Sequence, residues 1–360
     1  MPRPQAAVII PCFNHGRFVA EAVRSCLAQA GADVQVIVVD DGSNDGFTPS
    51  ACDECAAIDP QGRVRVVHQP NAGLPAARNA GAAIISREDW GEYLVFLDAD
   101  DWIQPLFVAK LHGAIQAAVS ADALSHAKIS HAYCQERLVD RATGIWAVPD
   151  WDPVRLIVTN IHPVTALVRR SRFEQAGGFD PTMTRGYEDW DLWLKFAEHR
   201  WKGVRVREPL FVWRRHAELT MVVEAAARHD ELYAMLVDRH RSFFHERADD
   251  ALKLANSMLR RAEGAWLDEQ GEPIVLRDAR AWNKELVRER DLARERLEHM
   301  VQERAAELTK LEQTIREEYE NKLAMRITRA YFRARERLFG RPNDDPAKGG
   351  RTGGTYTPGP

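Results

Sequence analysis

The chain has 360 residues, of which 45% are hydrophobic and 28% charged, and a formal net charge of −4; it has the composition of a soluble globular protein with room for one large domain and a second element. That balance excludes a whole-chain signature of nucleic-acid binding, and no apolar run reaches the roughly 18 to 20 residues of a bilayer span. The start, MPRPQAAVIIPCF, leads almost directly into a strand-like run with no room for a signal peptide, and the five cysteines show no disulfide framework, so the expectation is a reduced cytoplasmic chain.

Strand and helix signals alternate through the first hundred residues. Ala7 to Ile10 is an apolar run ended by Pro11, and Phe18, Val19, Ala22, Val23, Cys26 and Leu27 recur at helical spacing after it. Val34 to Val39 reads as a strand buried on both faces and stops at Asp40-Asp41-Gly42-Ser43. Val64 to Val67 is a third strand, Leu74 to Ile85 a small-residue helix, and Tyr93 to Leu97 a fourth strand ending in Asp98-Ala99-Asp100-Asp101. This alternation predicts a parallel α/β sheet. From 105 to 218 the signals are mixed: a helical start within Trp151 to Asn160, a strand over Pro163 to Val168, and a short helix over Arg172 to Ala176. An apolar helix follows over Glu188 to His199, then short strands at Val204 to Arg207 and Leu210 to Trp213. Beyond about 222 helix formers dominate to Leu267, Gly271-Glu272-Pro273 interrupts, and Leu276 to Phe339 reads as a long helix. Val301, Leu308, Leu311 and Ile315 fit a heptad there, but Arg304 and Glu318 fall on its seam.

Polar residues collect where the strands end. Pro11 to Asn14, Asp40-Asp41, Asn71 and Asp98 to Asp101 all follow strand termini, and open α/β sheets bind ligands beyond those termini. The acidic stretch at 98–101 reads either as a solvated loop or as a site for a hard divalent cation with bound phosphates, and its position favours the second. Asp40-Asp41 reads equally as turn chemistry or as a base or ribose contact. Glu188-Asp189 reads as helix-start carboxylates favoured by the macrodipole, or as a general base. His216, behind Trp213-Arg214-Arg215, reads as solvated surface or as a ligand to metal or diphosphate. The single Cys52/Cys55 pair lacks partners for zinc and reads as packing or surface. No G-x-G-x-x-G follows the first strand, which argues against a dinucleotide site.

Taken in order, the motifs resemble family 2 glycosyltransferases of GT-A fold. They are Ile9-Ile10-Pro11-Cys12-Phe13-Asn14, Val38 to Ser43, Asn71-Ala72-Gly73 with Ala77-Arg78-Asn79-Ala80-Gly81, Phe96 to Asp101, Gly177-Gly178-Phe179-Asp180 and Gly186 to Leu192. The resemblance covers residues 6 to 218. It implies a mixed, mainly parallel sheet flanked by helices and an inverting transfer from a nucleotide diphosphate sugar, a UDP-sugar foremost. Pro11, Phe13, Asn14 and Asp41 would form the nucleobase side, Arg78 would contact the nucleotide, and Asp98 would meet its ribose or phosphate. Asp100 and His216 would hold Mn2+ or Mg2+, Asp189 would be the base, and Glu188 would orient the site. Phe13 stands where the family often has tyrosine, which keeps stacking and loses a hydroxyl. Asp101 has no assigned role.

The expected organisation is a glycosyltransferase domain at 1–218, a helical segment at 219–270, a long helix at 271–340 and a disordered tail at 341–360. The acceptor would be a glycan or lipid-linked hydroxyl in surface polysaccharide synthesis, with no nucleic-acid partner. Lys322 to Phe339 carries arginines among apolar residues, which suits either peripheral contact with the inner membrane face or a partner helix, a second copy included. Two other readings stay open. A sugar nucleotidyltransferase would need a lysine-bearing phosphate loop where this chain has PCFNHG, and a non-catalytic scaffold would bind nucleotide sugar and assemble through its long helix.

Overall fold

A computed structural model describes residues 3–121, 127–140, 143–215 and 220–262. The central strand is β1 (Gln5–Cys12), buried from Ala6 to Cys12 because β2 (Asp33–Asp41) and β4 (Tyr93–Phe96) flank it in parallel. β3 (Val64–Gln69) adds in parallel outside β2. Helices cover both faces of these strands, which is why their sequences are unbroken apolar runs. Pro11 does not end β1 as the sequence suggests. The strand continues to Cys12, paired with Asp40. Ile9 accepts the Leu97 N–H at 3.0 Å, and alternate residues of a strand face the same neighbour. The missing N–H of Pro11 therefore points past the end of the β4 ladder, where no partner is lost.

On the other side of β4 the sheet becomes mixed. β8 (Leu167–Arg169) pairs antiparallel with β4 and with β6 (Ile129–Asp140); β9 (Lys202–Arg215) runs parallel to β6, and β5 (Trp102–Ile103) antiparallel to β9. Among the described residues the order is β3-β2-β1-β4-β8-β6-β9-β5, with β7 (Gly144–Trp146) paired to β6. This is the mixed α/β architecture, flanked by helices, that the resemblance implies. The two short strands expected near 204–213 are one strand, β9. Its ladder with β6 is irregular where Gln135 faces Pro209, a place where a strand proline can be absorbed.

The helices bracketing the sheet are α1 (Gly16–Leu27), α2 (Thr48–Ala56), α3 (Leu74–Glu88), α4 (Phe107–Ala121), α5 (Pro153–Val158), α6 (Arg170–Gln175) and α7 (Glu188–Glu198). α1 buries Val19, Ala22, Val23 and Cys26, as its spacing predicts. Cys52 and Cys55 are buried free thiols of α2 in the core, the packing reading of that pair. α7 buries Trp190, Leu192, Trp193, Leu194 and Phe196, with the Trp190 indole donating to the Leu156 carbonyl at 2.6 Å. The helical section expected from 222 is broken into α8 (Thr220–Ala227), α9 (His229–Arg239), α10 (Arg241–Glu246) and α11 (Ala248–Ala262). No helix of the described residues is long and apolar enough to cross a membrane. The long helix expected at 271–340, its heptad and basic stretch, and the tail at 341–360 lie outside the described residues.

α3 lies close enough to the sheet to make Gly81 obligatory. A Cβ there would stand 2.5 Å from Cγ2 of Ile9, whereas one on the exposed Gly113 of α4 would meet nothing within 4 Å. Gly81→Ala is expected to destabilise the protein by about 1–3 kcal/mol through overpacking. Gly113→Ala should stabilise it by up to about 1 kcal/mol through helix propensity. Urea denaturation of both variants checks the pair, and equal effects would contradict this packing.

Candidate active site

The ends of β1, β2 and β3 are laced into one rim. The Asn14 backbone N–H donates to Ser43 Oγ at 3.0 Å, and its side chain exchanges hydrogen bonds with Asn44 at 2.9 Å in each direction. Asp41 is buried; one of its oxygens accepts from Gln69 Nε2 at 2.7 Å and Ala72 N at 2.9 Å, the other from Gly73 N at 2.8 Å. Gly42 permits this approach: its φ is +69°, and a Cβ would sit 2.5 Å from Asn71 N. Asp40 meets His68 Nδ1 at 2.8 Å. Burial works against its charge, but hydrogen bonds from Ser43 and His68 prevail and lower its pKa. Pro11 is buried in this rim and Phe13 projects from it, 43% exposed.

Beside the rim, Asp98 to Asp101 make a tight turn closed by the Asp101 N–H on the Asp98 carbonyl at 3.1 Å. Arg78 of α3 reaches beneath it. Its guanidinium donates to Asp98 Oδ1 and to Glu188 Oε1, both at 2.6 Å, and its side chain is 1% exposed. Burial disfavours the arginine charge, yet the two carboxylates more than compensate and raise its pKa. The sequence reading gives Arg78 to the nucleotide. In the structure one N–H of each terminal nitrogen goes to a carboxylate, so Arg78 also braces the wall of the crevice. Asp100 lies 4.0 Å from His15 Nδ1, a neighbour that motif reading missed in the Asn14-His15-Gly16 turn. Asp101 also gains a place: its Oδ1 accepts the Arg214 N–H at 2.8 Å, and Arg214 Nε donates to the Asp100 carbonyl at 2.9 Å. The turn is thereby tied to β9. Burial, then the charges of Asp100 and Asp98, lift the Asp101 pKa well above the carboxylate range.

Asp189 follows Glu188 at the start of α7. Its Oδ1 accepts the Trp190 N–H at 2.7 Å and its Oδ2 the Asn160 side-chain amide at 3.0 Å. Burial and then the Glu188 charge raise its pKa to about 7, against the opposing pull of Arg78. The backbone leading into the helix is held open by Gly186 at φ +111° and Tyr187 at φ +65°, the latter an uncommon conformation for a bulky residue. Across from Asp189, Glu136 of β6 is fully buried. Burial first, then the Asp189 charge, push its pKa well above the usual range. Sequence reading missed Glu136, and the acidic residue inside Tyr133-Cys134-Gln135-Glu136 was the available signal.

Of the residues singled out in the sequence, the structure brings Asp98, Glu188 and Asp189 around Arg78, keeps Asp100 in the same turn as Asp98, and sets Pro11, Phe13, Asn14 and Asp41 on the adjoining rim. His216 lies outside the described residues. No group of three or more His, Cys, Asp or Glu side chains among the described residues is arranged to hold a metal ion. The donor set nonetheless suits one: Asp98 and Asp100 offer hard carboxylate oxygens at a strand end, and magnesium or manganese binds through one or two carboxylates plus substrate phosphates.

Residues 7–176 match the model of Glycosyl transferase family 2. Among curated relatives, a putative glycosyltransferase EpsH of Bacillus subtilis is 33% identical over 29% of this chain and 28% of its own length. An uncharacterized glycosyltransferase alr2836 of Nostoc is 30% identical over 51% of this chain and 56% of its own. The chain thus spans about half of these relatives' length or less. Among solved structures, residues 1–349 of TarS from S. aureus, in complex with UDP-GlcNAc, superpose with a TM-score of 0.47 at 18% identity, covering 66% of this chain and 73% of that one.

Removing Arg78 leaves Glu188 buried without its counter-charge. Arg78→Met is expected to destabilise the protein by roughly 3–5 kcal/mol, the range for breaking one side of a buried ion pair. The double variant Arg78→Met/Glu188→Gln should recover a large part of that loss. Thermal and urea unfolding of the two proteins checks this, and additivity of the two changes would mean that the brace contributes nothing.

Proposed function

We propose that the chain, whose residues 7–176 match the model of Glycosyl transferase family 2, transfers a sugar, with inversion, from a nucleotide diphosphate sugar to a hydroxyl of a glycan or lipid-linked acceptor in surface polysaccharide synthesis. The observation that carries this reading is the Arg78 brace. It joins Asp98, on the donor side, to Glu188, the neighbour of Asp189, whose pKa is raised to about 7. A carboxylate poised near the working pH is what general-base removal of a hydroxyl proton requires.

In this reading Asp189 accepts the proton as the acceptor oxygen forms its bond to the anomeric carbon. The bond from that carbon to the diphosphate breaks on the opposite face, and its electron pair leaves with the nucleotide. Trp190 N–H and the Asn160 amide fix one oxygen each of Asp189, so the base is oriented before substrate arrives. Pro11, Phe13, Asn14 and Asp41 face the nucleobase, and a UDP-sugar is the donor expected there. Asp98 takes the ribose or phosphate, sharing its carboxylate with Arg78. Asp100, with His216, would hold Mg2+ or Mn2+, whose Lewis acidity stabilises charge on a departing diphosphate.

Nucleotide-sugar hydrolysis by the purified chain tests this without knowledge of the acceptor. Turnover should rise about tenfold per pH unit and level off above about 7, since Asp189 serves only when ionised. Asp189→Asn should lower turnover by roughly 10²–10⁴-fold and remove that limb. A flat profile from pH 5 to 8, or full turnover in the variant, would sink the assignment of the base. Asp100→Ala should abolish the response to added Mg2+ or Mn2+ measured after chelation, and an unchanged metal response would exclude Asp100 as a ligand.

A further inference from the structure

The helix that carries Asp189 is stitched to α5 and to the irregular stretch that follows it. Residues 159–166 lie between α5 and β8 in neither helix nor strand, yet most of them are buried, so side chains must supply bonds that a ladder would otherwise make. The Trp190 indole donates to the Leu156 carbonyl at 2.6 Å, the Asn160 amide to Asp189 Oδ2 at 3.0 Å, and the Trp193 indole to the His162 carbonyl at 3.2 Å. The Asn160 bond is the one that orients Asp189. Asn160 is in turn only as fixed as the stretch that carries it.

His162 ties that stretch to the sheet. It is fully buried, and its ring stacks on Tyr133 of β6 with centroids 4.0 Å apart. Its Nδ1 lies 2.9 Å from the Pro163 carbonyl, which can only accept, so Nδ1 carries the hydrogen and a neutral ring keeps a lone pair on Nε2. His131 Nε2 stands 3.0 Å from that lone pair and donates to it, while His131 Nδ1 accepts from Ser130 Oγ at 2.8 Å. Burial holds both rings neutral: the His131 pKa lies well below its ordinary value, and that of His162 is lowered to about 3. His131 is itself set by β6, whose ladders place it opposite Val168 of β8 and Gly203 of β9. Gly203 leaves room for the ring, since a Cβ there would stand 2.5 Å from His131 Nε2. We propose that the His131–His162 pair positions the base: the sheet fixes His131, His131 fixes His162, and His162 fixes the stretch from which Asn160 grips Asp189. This rests on the reading of Asp189 as the base, and both histidines are positioning residues that act through Asn160.

The acid limb of nucleotide-sugar hydrolysis reports on this positioning. The ionisable groups acting on Asp189 are Glu188 of its own helix, Arg78 of α3 and Glu136 of β6, and the Asn160 bond lowers its pKa. Losing that bond therefore moves the limb to higher pH. His162→Phe keeps the stacked ring and removes both nitrogens. It should shift the midpoint upward from about 7 by about one pH unit, the usual strength of a hydrogen bond to a charged group. Turnover well below the midpoint then falls about tenfold, with KM for the nucleotide sugar within about twofold of wild type. Asn160→Ala should do the same, and the double variant should shift no further than Asn160→Ala alone. His131→Phe should move the midpoint in the same direction, and His131→Gln, whose amide still donates to His162, should move it less. That second pair carries the test if His162→Phe does not fold. A midpoint unmoved in His162→Phe, shifts that add in the double variant, or equal midpoints in the two His131 variants would show that the histidines serve stability alone, and would overturn the proposal. In each of those cases a wild-type limb that Asp189→Asn abolishes leaves the base assignment standing. A wild type without an Asp189-dependent limb would remove that assignment, and the proposal with it.

Discussion

The candidate site depends on one buried cation. Arg78 is withdrawn from water on α3, where its charge would be intolerable without compensation, and it is compensated by two carboxylates that lie 20 residues ahead of it and 110 residues ahead of it in the chain. Each of those carboxylates would in turn be unfavourable so close to other acidic groups without the arginine. The arrangement is therefore mutual, and it couples the turn after β4 to the first residue of α7. Asn79, the next residue on the same helix, makes the parallel attachment: its side chain donates to the Phe179 carbonyl at 2.8 Å and accepts the Phe179 N–H at 3.0 Å. Two adjacent side chains of α3 thus grip the second half of the domain, and Gly81 lets the helix lie close enough to the sheet for them to reach.

Charge is distributed around this brace in a way that separates roles. Asp40 and Asp191 are buried but supplied with donors, from His68 and Ser43 in one case and from His240 and Lys195 in the other, and both are held below the usual carboxylate range. They are structural anions. Asp101 and Glu136 are buried and Asp189 half-buried, and all three are pushed up, in each case chiefly by withdrawal from water. Environments that drive carboxyl groups in opposite directions are how one fold keeps some groups ionised and others ready to exchange a proton. Asp189 is the member of the raised group whose pKa falls near neutrality, and it alone stands directly behind Glu188 at a helix N-terminus, where the macrodipole favours the anion.

Much of this could be read from the sequence, and the exceptions have physical causes. β1, β2, β4, α1 and α3 were legible because each is buried on two faces or on one clean stripe, which leaves an unbroken run or a regular period. β6 was not, because Ser130-His131-Ala132-Tyr133-Cys134-Gln135-Glu136 carries little β-branching and its polar members are buried by long-range contacts; His131 and His162, for example, meet at 3.0 Å within stacked aromatic rings. α4 was hidden because small residues (Ala, Gly and Ser) fill much of it and blur the stripe formed by Phe107, Val108, Leu111 and Ile115. The strand end at Pro11 was misplaced because only the length of β4, a tertiary fact, determines whether a missing N–H matters. Arg78 illustrates the limit best. Its presence near the site was legible, but the partner that defines its job is remote in sequence and leaves no local pattern.

The helices beyond β9 also bear on the site through a local conflict of backbone geometry. Tyr187 adopts a left-handed conformation immediately before Glu188, a choice that costs about 1–2 kcal/mol for a residue with a Cβ. The strain must be offset by contacts that exist only in this conformation. Two are present: the Tyr187 hydroxyl lies 2.7 Å from His229 Nδ1 of α9, and its ring packs on Trp190 at 5.1 Å. α9 is fixed to the preceding framework by the Tyr233 hydroxyl, which donates to the Ile157 carbonyl of α5 at 2.5 Å, while α5 also receives the Trp190 indole. Gly186 completes the constraint, since a Cβ there would meet Ala225 of α8 at 2.8 Å. The direction in which Glu188 and Asp189 leave the backbone is therefore set jointly by the turn at 186–187 and by helices that follow the motif-bearing region. A carboxylate whose task depends on ångström-level placement is held from behind by a segment that carries none of the recognisable motifs.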